Sequence, residues 1–168
     1  MIDALQYEPI FSCYLRYPDP VRLPSPMLGL AGPICQWVFD RGRLSGQLGL
    51  LAVVISATGT HVEISQQELA GRIHAELKTA LPGLPEPVWT KIIGEKRATF
   101  SCTPGLTRPS GETNVHGLSL AGDYTASDYP GTLEAAVRSG LFAARSIAST
   151  YMGSSGIAPP HRSGDPRR

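Results

Sequence analysis

The sequence predicts a mixed α/β, or α+β, fold: a mostly antiparallel sheet with a helix packed on it, then a C-terminal strand–helix. Three observations carry this. Runs rich in β-branched and aromatic residues recur at 7–17, 48–56 and 88–100. A stretch at 65–81 combines a capping signal with helical apolar spacing. A short apolar run at 118–121 leads into a Gly-Asp turn and an alanine-rich helical pattern.

Taken in order, 7–17 reads as a first strand through Ile10, Phe11, Cys13, Tyr14 and Leu15, and Pro9 predicts an edge or a strand start. Pro18, Pro20, Pro24 and Pro26 force an extended loop. Segments 27–30 and 34–39 are expected to pair as a hairpin through Ala31, Gly32 and Pro33, and 40–43 is a polar turn. The run 48–56 has the continuous apolar character of a central strand covered on both faces. In the helix at 65–81, Ser65 and Glu68 form a capping box. Leu69, Ile73 and Leu77 make the buried stripe, and Gln67, Arg72, Glu76 and Lys78 the polar face. Residues 88–93 and 96–100 read as a strand or bent pair with Gly94 as the bulge. Residues 103–116 form a polar loop. The last helix starts near 130–132, with Leu133, Val137, Leu141 and Ala144 as its expected buried stripe. From 153 onward no apolar pattern remains, and a disordered tail is expected.

With 168 residues the chain suits one domain, or one and part of another, and 42% hydrophobic residues can build a core. A net charge of +1 gives no sign of a nucleic-acid partner. Three cysteines without CxxC spacing fit a reducing compartment. Asp3 and Glu8 stand where a signal peptide would be basic, and the longest apolar run is too short to span a bilayer. The expected location is cytoplasmic, with peripheral membrane contact left open.

The chemistry concentrates at 118–144. Asp123 at a strand end would accept hydrogen bonds from polyol hydroxyls, and Gly122 lets backbone approach a ligand. A helix opening near Gly131 leaves amides unpaired and carries a partial positive end. That end suits an electron-rich carbonyl or anion, of which a reduced flavin ring is one example. The pattern is equally consistent with a purely structural strand and helix, with Asp123 as a turn acid or cap. The histidines show no paired ligand spacing, so no metal site is expected, and there is no GxSxG elbow. No residue stands out as a catalytic acid or base.

The residues at 120–140, Leu-Ala-Gly-Asp-Tyr then Tyr-Pro-Gly-Thr-Leu-Glu-Ala-Ala-Val-Arg-Ser-Gly, resemble the C-terminal flavin-binding motif of the FAD-dependent amine oxidase and phytoene desaturase superfamily. Upstream, Tyr-Glu-Pro-Ile at 7–10, Gln-Trp-Val-Phe-Asp at 36–40, Ala-Val-Val-Ile-Ser at 52–56 and Glu-Lys-Arg-Ala-Thr-Phe at 95–100 resemble the squalene-associated desaturases, the hydroxysqualene dehydroxylases of hopanoid synthesis. So do Cys-Thr-Pro-Gly at 102–105 and Arg108-Pro109. The resemblance implies an FAD-dependent oxidoreductase acting on an apolar isoprenoid such as hydroxysqualene by hydride transfer through the flavin. Gly122 and Asp123 would lie by the pyrophosphate and ribityl chain. Tyr129, Pro130 and Gly131 would lead to Thr132 and Leu133, whose backbone would face the flavin ring. Trp37, Phe39 and Trp89 would line an apolar substrate cavity; as ordinary core aromatics they would mean nothing functional. The implied division is a substrate-binding portion at 1–117, part of an FAD-binding domain at 118–152, and the tail at 153–168. A flavin amine oxidase or protoporphyrinogen-oxidase-like enzyme is one alternative. A non-catalytic fragment or assembly module is another.

Members of that superfamily carry a GxGxxG loop for the dinucleotide. Gly29 and Gly32 are followed by Pro33, which lacks the needed N–H, and Gly42, Gly46 and Gly49 have the wrong spacing. The resemblance therefore implies a partner: the N-terminal dinucleotide-binding half, missing from this sequence. Without it the chain is expected to hold FAD weakly or not at all.

Overall fold

The computed structural model of the chain describes residues 5–18 and 21–153. Of the tail expected from 153 onward, Gly153 ends the last helix, and 154–168, like Pro20, lie outside the described residues. By its contacts the chain divides into two compact units, 6–101 and the residues from 102 onward together with Leu5. The 117/118 boundary read from the sequence is a division by proposed role, not by contact.

The fold is mixed α/β, and every pairing in its five-stranded sheet is antiparallel. The strands β1 (Tyr7–Arg16), β2 (Met27–Gly29), β3 (Trp37–Asp40), β4 (Leu50–Ser56) and β5 (Trp89–Phe100) stand in the order β2-β3-β4-β1-β5. The expected hairpin is present, with Met27 opposite Phe39 and Gly29 opposite Trp37. Its connection is longer than the sequence suggests. Ile34 and Cys35 belong to the loop, where their amides donate to the Glu76 carboxylate at 3.1 and 2.8 Å. A residue read as polar surface thus anchors the hairpin to the helix.

The polar turn at 40–43 is a short helix, α1 (Arg41–Ser45), capped by Asp40. Asp40 is buried because three groups meet its charge. The amides of Leu23 and Arg43 donate to it at 3.1 and 3.0 Å, and the Arg43 guanidinium lies 3.7 Å away. The main helix, α2 (Gln66–Ala80), buries Leu69, Ile73 and Leu77 as its spacing predicts. Only half of the capping box forms. The Glu68 amide donates to Ser65 Oγ, while the Glu68 carboxylate turns to Arg72 at 2.7 Å.

Alternation along the strands then sets the two sheet faces. Cys13, Leu15, Val38, Leu51, Val53, Ile55 and Ile92 point to the core shared with α2. Burial pushes the Cys13 thiol up to about 12 and raises Cys35 as well, so neither is a thiolate at neutral pH. At the edge of this core the Tyr17 hydroxyl meets His74 Nδ1 at 3.0 Å, and His74 Nε2 lies 3.0 Å from Glu86.

Two strand details differ from expectation. β1 is interior, between β4 and β5, although it contains Pro9. The ladder to β5 shifts register between Glu8 and Ile10, so the missing N–H falls where no regular bond is required. The irregularity on β5 lies between Glu95 and Thr99, not at Gly94. Gly94 pairs regularly with Phe11, and a Cβ there would sit 2.8 Å from Phe11 Cε1. Its role is to leave room for that ring.

Glu8 ties this irregular end together. Its carboxylate accepts from the Thr58 amide at 3.2 Å and hydroxyl at 3.1 Å, and from the Ser101 hydroxyl. These donors, Ser101 first, hold its pKa below the ordinary value. A lowered folded pKa gives stability that is present above the unfolded value near 4.5 and lost as pH falls through the folded one. Glu8→Gln is therefore expected to flatten the dependence of the unfolding midpoint on pH below about 4.5 while leaving its neutral-pH shape unchanged. Denaturation series at several pH values check this; an unaltered acid limb would refute it.

Candidate functional site

The 102–153 unit is built on loops and one long helix, α3 (Leu133–Gly153). The short strand expected at 118–121 is absent. Ser119 makes a single bridge with Glu112, and Leu118 is 51% exposed. A strand requires a neighbour along its length, and among the described residues only Glu112 offers one. Asp123 therefore sits in a turn rather than at a strand end.

The turn is nonetheless fixed. The Gly122 amide donates to Ser139 Oγ at 2.8 Å, and the Ser139 hydroxyl reaches Gly122 O (3.1 Å) or Ala136 O (2.8 Å). The Thr125 amide and hydroxyl both donate to Gly122 O, at 3.2 and 2.9 Å. Gly122 has φ +153°, and a Cβ there would strike the Tyr124 ring. Only glycine meets both conditions. Arg108 clamps the next stretch, donating to Thr125 O at 2.8 Å and Ser127 O at 2.5 Å. The Gly131 amide then donates to Asp123 O at 3.4 Å, closing the loop from 123 to 131, with Gly131 at φ +66°. Ser139 and Arg108 were not singled out as site residues from the sequence. Their partners lie 17 to 19 positions away, and no local pattern signals that.

Thr132 caps α3. The Ala135 amide donates to its Oγ1 at 3.1 Å, and that hydroxyl donates to Tyr129 O at 2.8 Å. Among the described residues the amides of Leu133 and Glu134 have no acceptor. Leu133 is 88% exposed, so this helix start is open. Tyr129 lies under the Arg138 guanidinium at 4.9 Å, and Glu134 pairs with Arg138 at 2.5 Å and raises its pKa. The Asp123 carboxylate accepts no hydrogen bond among the described residues. Gly122, Asp123, Gly131, Thr132 and Leu133 thus gather around one turn and one helix start, with Tyr129 and exposed Pro130 on the connecting loop.

The buried stripe expected on α3 is reversed. Val137 and Leu141, like Leu133, are more than half exposed, and Ala144 is exposed too, whereas Ala135 and Ala143 are buried. Small residues let the helix lie close to the 109–126 loops. There Phe142 covers Gly111, and a cleft of about 290 Å³ runs between Gly111, Thr125, Ala126, Ser139 and Phe142.

In the 6–101 unit, Trp37, Phe39 and Trp89 share the sheet face turned away from α2. The register aligns Trp37, Val54, Ser12 and Ile93 in one row across β3, β4, β1 and β5. Phe39, Ala52, Tyr14 and Lys91 form the next, and Leu50, Arg16 and Trp89 a third. The two four-strand rows span about 14 Å at ordinary strand spacing, and the three-strand row about 10 Å. Trp37, Trp89 and Ile93 are between 45% and 54% exposed. The three aromatics are therefore not core residues but part of an open, largely apolar floor. Among the described residues no group of three His, Cys, Asp or Glu side chains is placed to hold a metal. No helix there is long and apolar enough to cross a membrane.

A family model described as flavin containing amine oxidoreductase matches residues 1–148. The chain is 35% identical over 143 residues to the hydroxysqualene dehydroxylase of Rhodopseudomonas palustris, covering 83% of this chain and 32% of that protein. It is 30% identical over 106 residues to the zeta-carotene desaturase of Synechocystis sp., covering 61% of this chain and 22% of that one. The chain thus spans a third or less of the length of these curated relatives. A crystal structure described as a protoporphyrinogen oxidase from Exiguobacterium sp. 255-15 shares the fold. Its TM-score is 0.52 at 10% identity, over 62% of this chain and 26% of that one.

Proposed function

The chain belongs to the flavin-containing amine oxidoreductase family, and on that premise we propose that it supplies two surfaces of an FAD-dependent oxidoreductase: the floor of an isoprenoid site and the helix start that faces the flavin ring. The substrate is a long apolar isoprenoid, hydroxysqualene foremost. The observation that carries this reading is the open sheet face holding Trp37, Phe39 and Trp89. A hydrocarbon chain offers almost no hydrogen bonds, so its site must recognise it by apolar area. Relatives named for hydroxysqualene and zeta-carotene support the substrate class.

The residues of the 102–153 unit suit a flavin. The amides of Leu133 and Glu134 lack acceptors at the positive end of α3, where an electron-rich carbonyl is stabilised. Asp123 has a carboxylate available for ribityl hydroxyls. Gly122, which tolerates no Cβ, keeps the backbone of the turn bare. In this proposal Tyr129, Pro130 and Gly131 lead the chain to the ring edge, and Thr132 fixes the first turn that presents the amides. Bound there, the flavin would supply hydride chemistry, and the protein position and electrostatics. The dinucleotide's adenosine end would be held by a GxGxxG partner half. In this proposal the enzyme is cytoplasmic and meets its lipid-borne substrate at a membrane surface.

The chain has two tryptophans, and both stand on the open face. Squalene delivered in detergent micelles is expected to quench or blue-shift their emission saturably, and Trp37→Phe and Trp89→Phe are each expected to remove part of the change. Emission that squalene leaves untouched, beyond the effect of empty micelles, would refute the floor.

A further inference from the structure

The middle row of the open face is not apolar throughout. Phe39 and Ala52 continue into Tyr14 on β1 and Lys91 on β5, which are direct cross-strand partners. Residues in that relation have Cβ atoms about 5 Å apart, so the Tyr14 hydroxyl and the Lys91 ammonium can reach one acceptor. They stand between the row holding Trp37, Val54 and Ile93 and the row holding Leu50 and Trp89.

Ser12 stands in the neighbouring row between Val54 and Ile93, and two other polar side chains on this face are already engaged. Arg16 is engaged, with its guanidinium donating to Tyr17 O at 3.1 Å and to Leu48 O. Glu95 accepts from the Arg97 amide at 3.0 Å. Among the described residues neither Tyr14 nor Lys91 makes a side-chain hydrogen bond or ion pair. Once a hydrocarbon covers this face, two unsatisfied polar groups would be costly unless the ligand itself brings an oxygen.

We propose that Tyr14 and Lys91 form a polar subsite in the apolar floor that binds the single hydroxyl of a long hydrocarbon alcohol. The inference rests on the floor reading above and deepens it by naming the two residues that would tell an isoprenoid alcohol from a plain polyene. Lys91 donates to the hydroxyl oxygen. Tyr14, as donor or acceptor, takes the remaining position. The pair fixes the position of the carbon bearing the hydroxyl along a chain whose methyl-branched units otherwise look alike. Both are positioning and specificity residues.

The test compares hydroxysqualene with squalene, each in the same micelles, titrated against the 168-residue chain with tryptophan emission as readout. The wild-type chain is expected to bind the alcohol about tenfold more tightly. Tyr14→Phe with Lys91→Met is expected to bring the two affinities together by weakening the alcohol, while squalene affinity stays the same or improves. Lys91→Arg, which keeps a donor, is expected to retain most of the preference. Equal affinities in the wild type, or a preference that survives the double substitution, would overturn the subsite and leave the floor standing. Binding of neither lipid would overturn the floor and the subsite with it.

Discussion

Ile73→Ala is expected to lower the stability of the 6–101 unit by about 2–5 kcal/mol. Ile73 is fully buried at the centre of the α2 stripe, in the cluster that joins Leu69 and Leu77 to Leu15, Val53 and Ile55. The change removes three buried carbons. It also leaves a cavity, because the sheet below is held by the β4–β1–β5 ladders and cannot collapse into the space. Urea denaturation checks the magnitude. A loss below about 1 kcal/mol would mean that α2 is not the main cover of this sheet face.

Gly122→Val is expected to have the largest effect on the cofactor. The substitution is best made in a hybrid in which residues 1–148 replace the matching third of the Rhodopseudomonas palustris relative. A β-branched residue cannot hold φ +153° without strain, and its Cβ would collide with the Tyr124 ring. Relief requires breaking the Gly122–Ser139 bond that holds the turn against α3. The hybrid's flavin content is expected to fall at least tenfold, read as the ratio of flavin to protein absorbance. A hybrid variant that keeps its parent's overall unfolding midpoint shows that the loss of flavin is local to the turn. A variant as yellow as its parent would contradict the placement of this turn at the cofactor.

Much of the sheet unit was legible in the sequence because its signals are local. β-branched and aromatic content marks β1, and a continuous apolar run marks β4. The spacing of Leu69, Ile73 and Leu77 set α2, and Ser65 marked its start. The misread features depend on what lies opposite. Pro9 is tolerated in an interior strand because β5 carries extra residues between Glu95 and Thr99, a compensation invisible within β1 itself. Gly94 resembles a bulge in its own strand, and only the Phe11 ring across from it explains the missing side chain.

The candidate site shows the same division. Thr132 could be read as a helix start from its own neighbourhood, and it does cap α3. The strand at 118–121 could not, since apolar composition does not supply a pairing partner. The expected α3 stripe follows helical spacing, through Leu133, Val137, Leu141 and Ala144. Within this unit the close approach of the loops selects Ala135 and Ala143 instead. The face bearing the large residues is left open. Trp37, Phe39 and Trp89 were separable from core aromatics only through register, which places them together on the face away from α2.

The central claim is that this chain provides both the flavin-facing turn and the isoprenoid floor of one oxidoreductase. The most direct measurement is made on the unsubstituted hybrid, purified, scored for bound flavin, and assayed for consumption of hydroxysqualene with a reductant that reduces the flavin and for consumption of primary and secondary amines with dioxygen as acceptor. The account predicts a yellow protein that consumes hydroxysqualene and leaves the amines unchanged. A colourless protein, or a yellow one that oxidises amines and ignores hydroxysqualene, would contradict it.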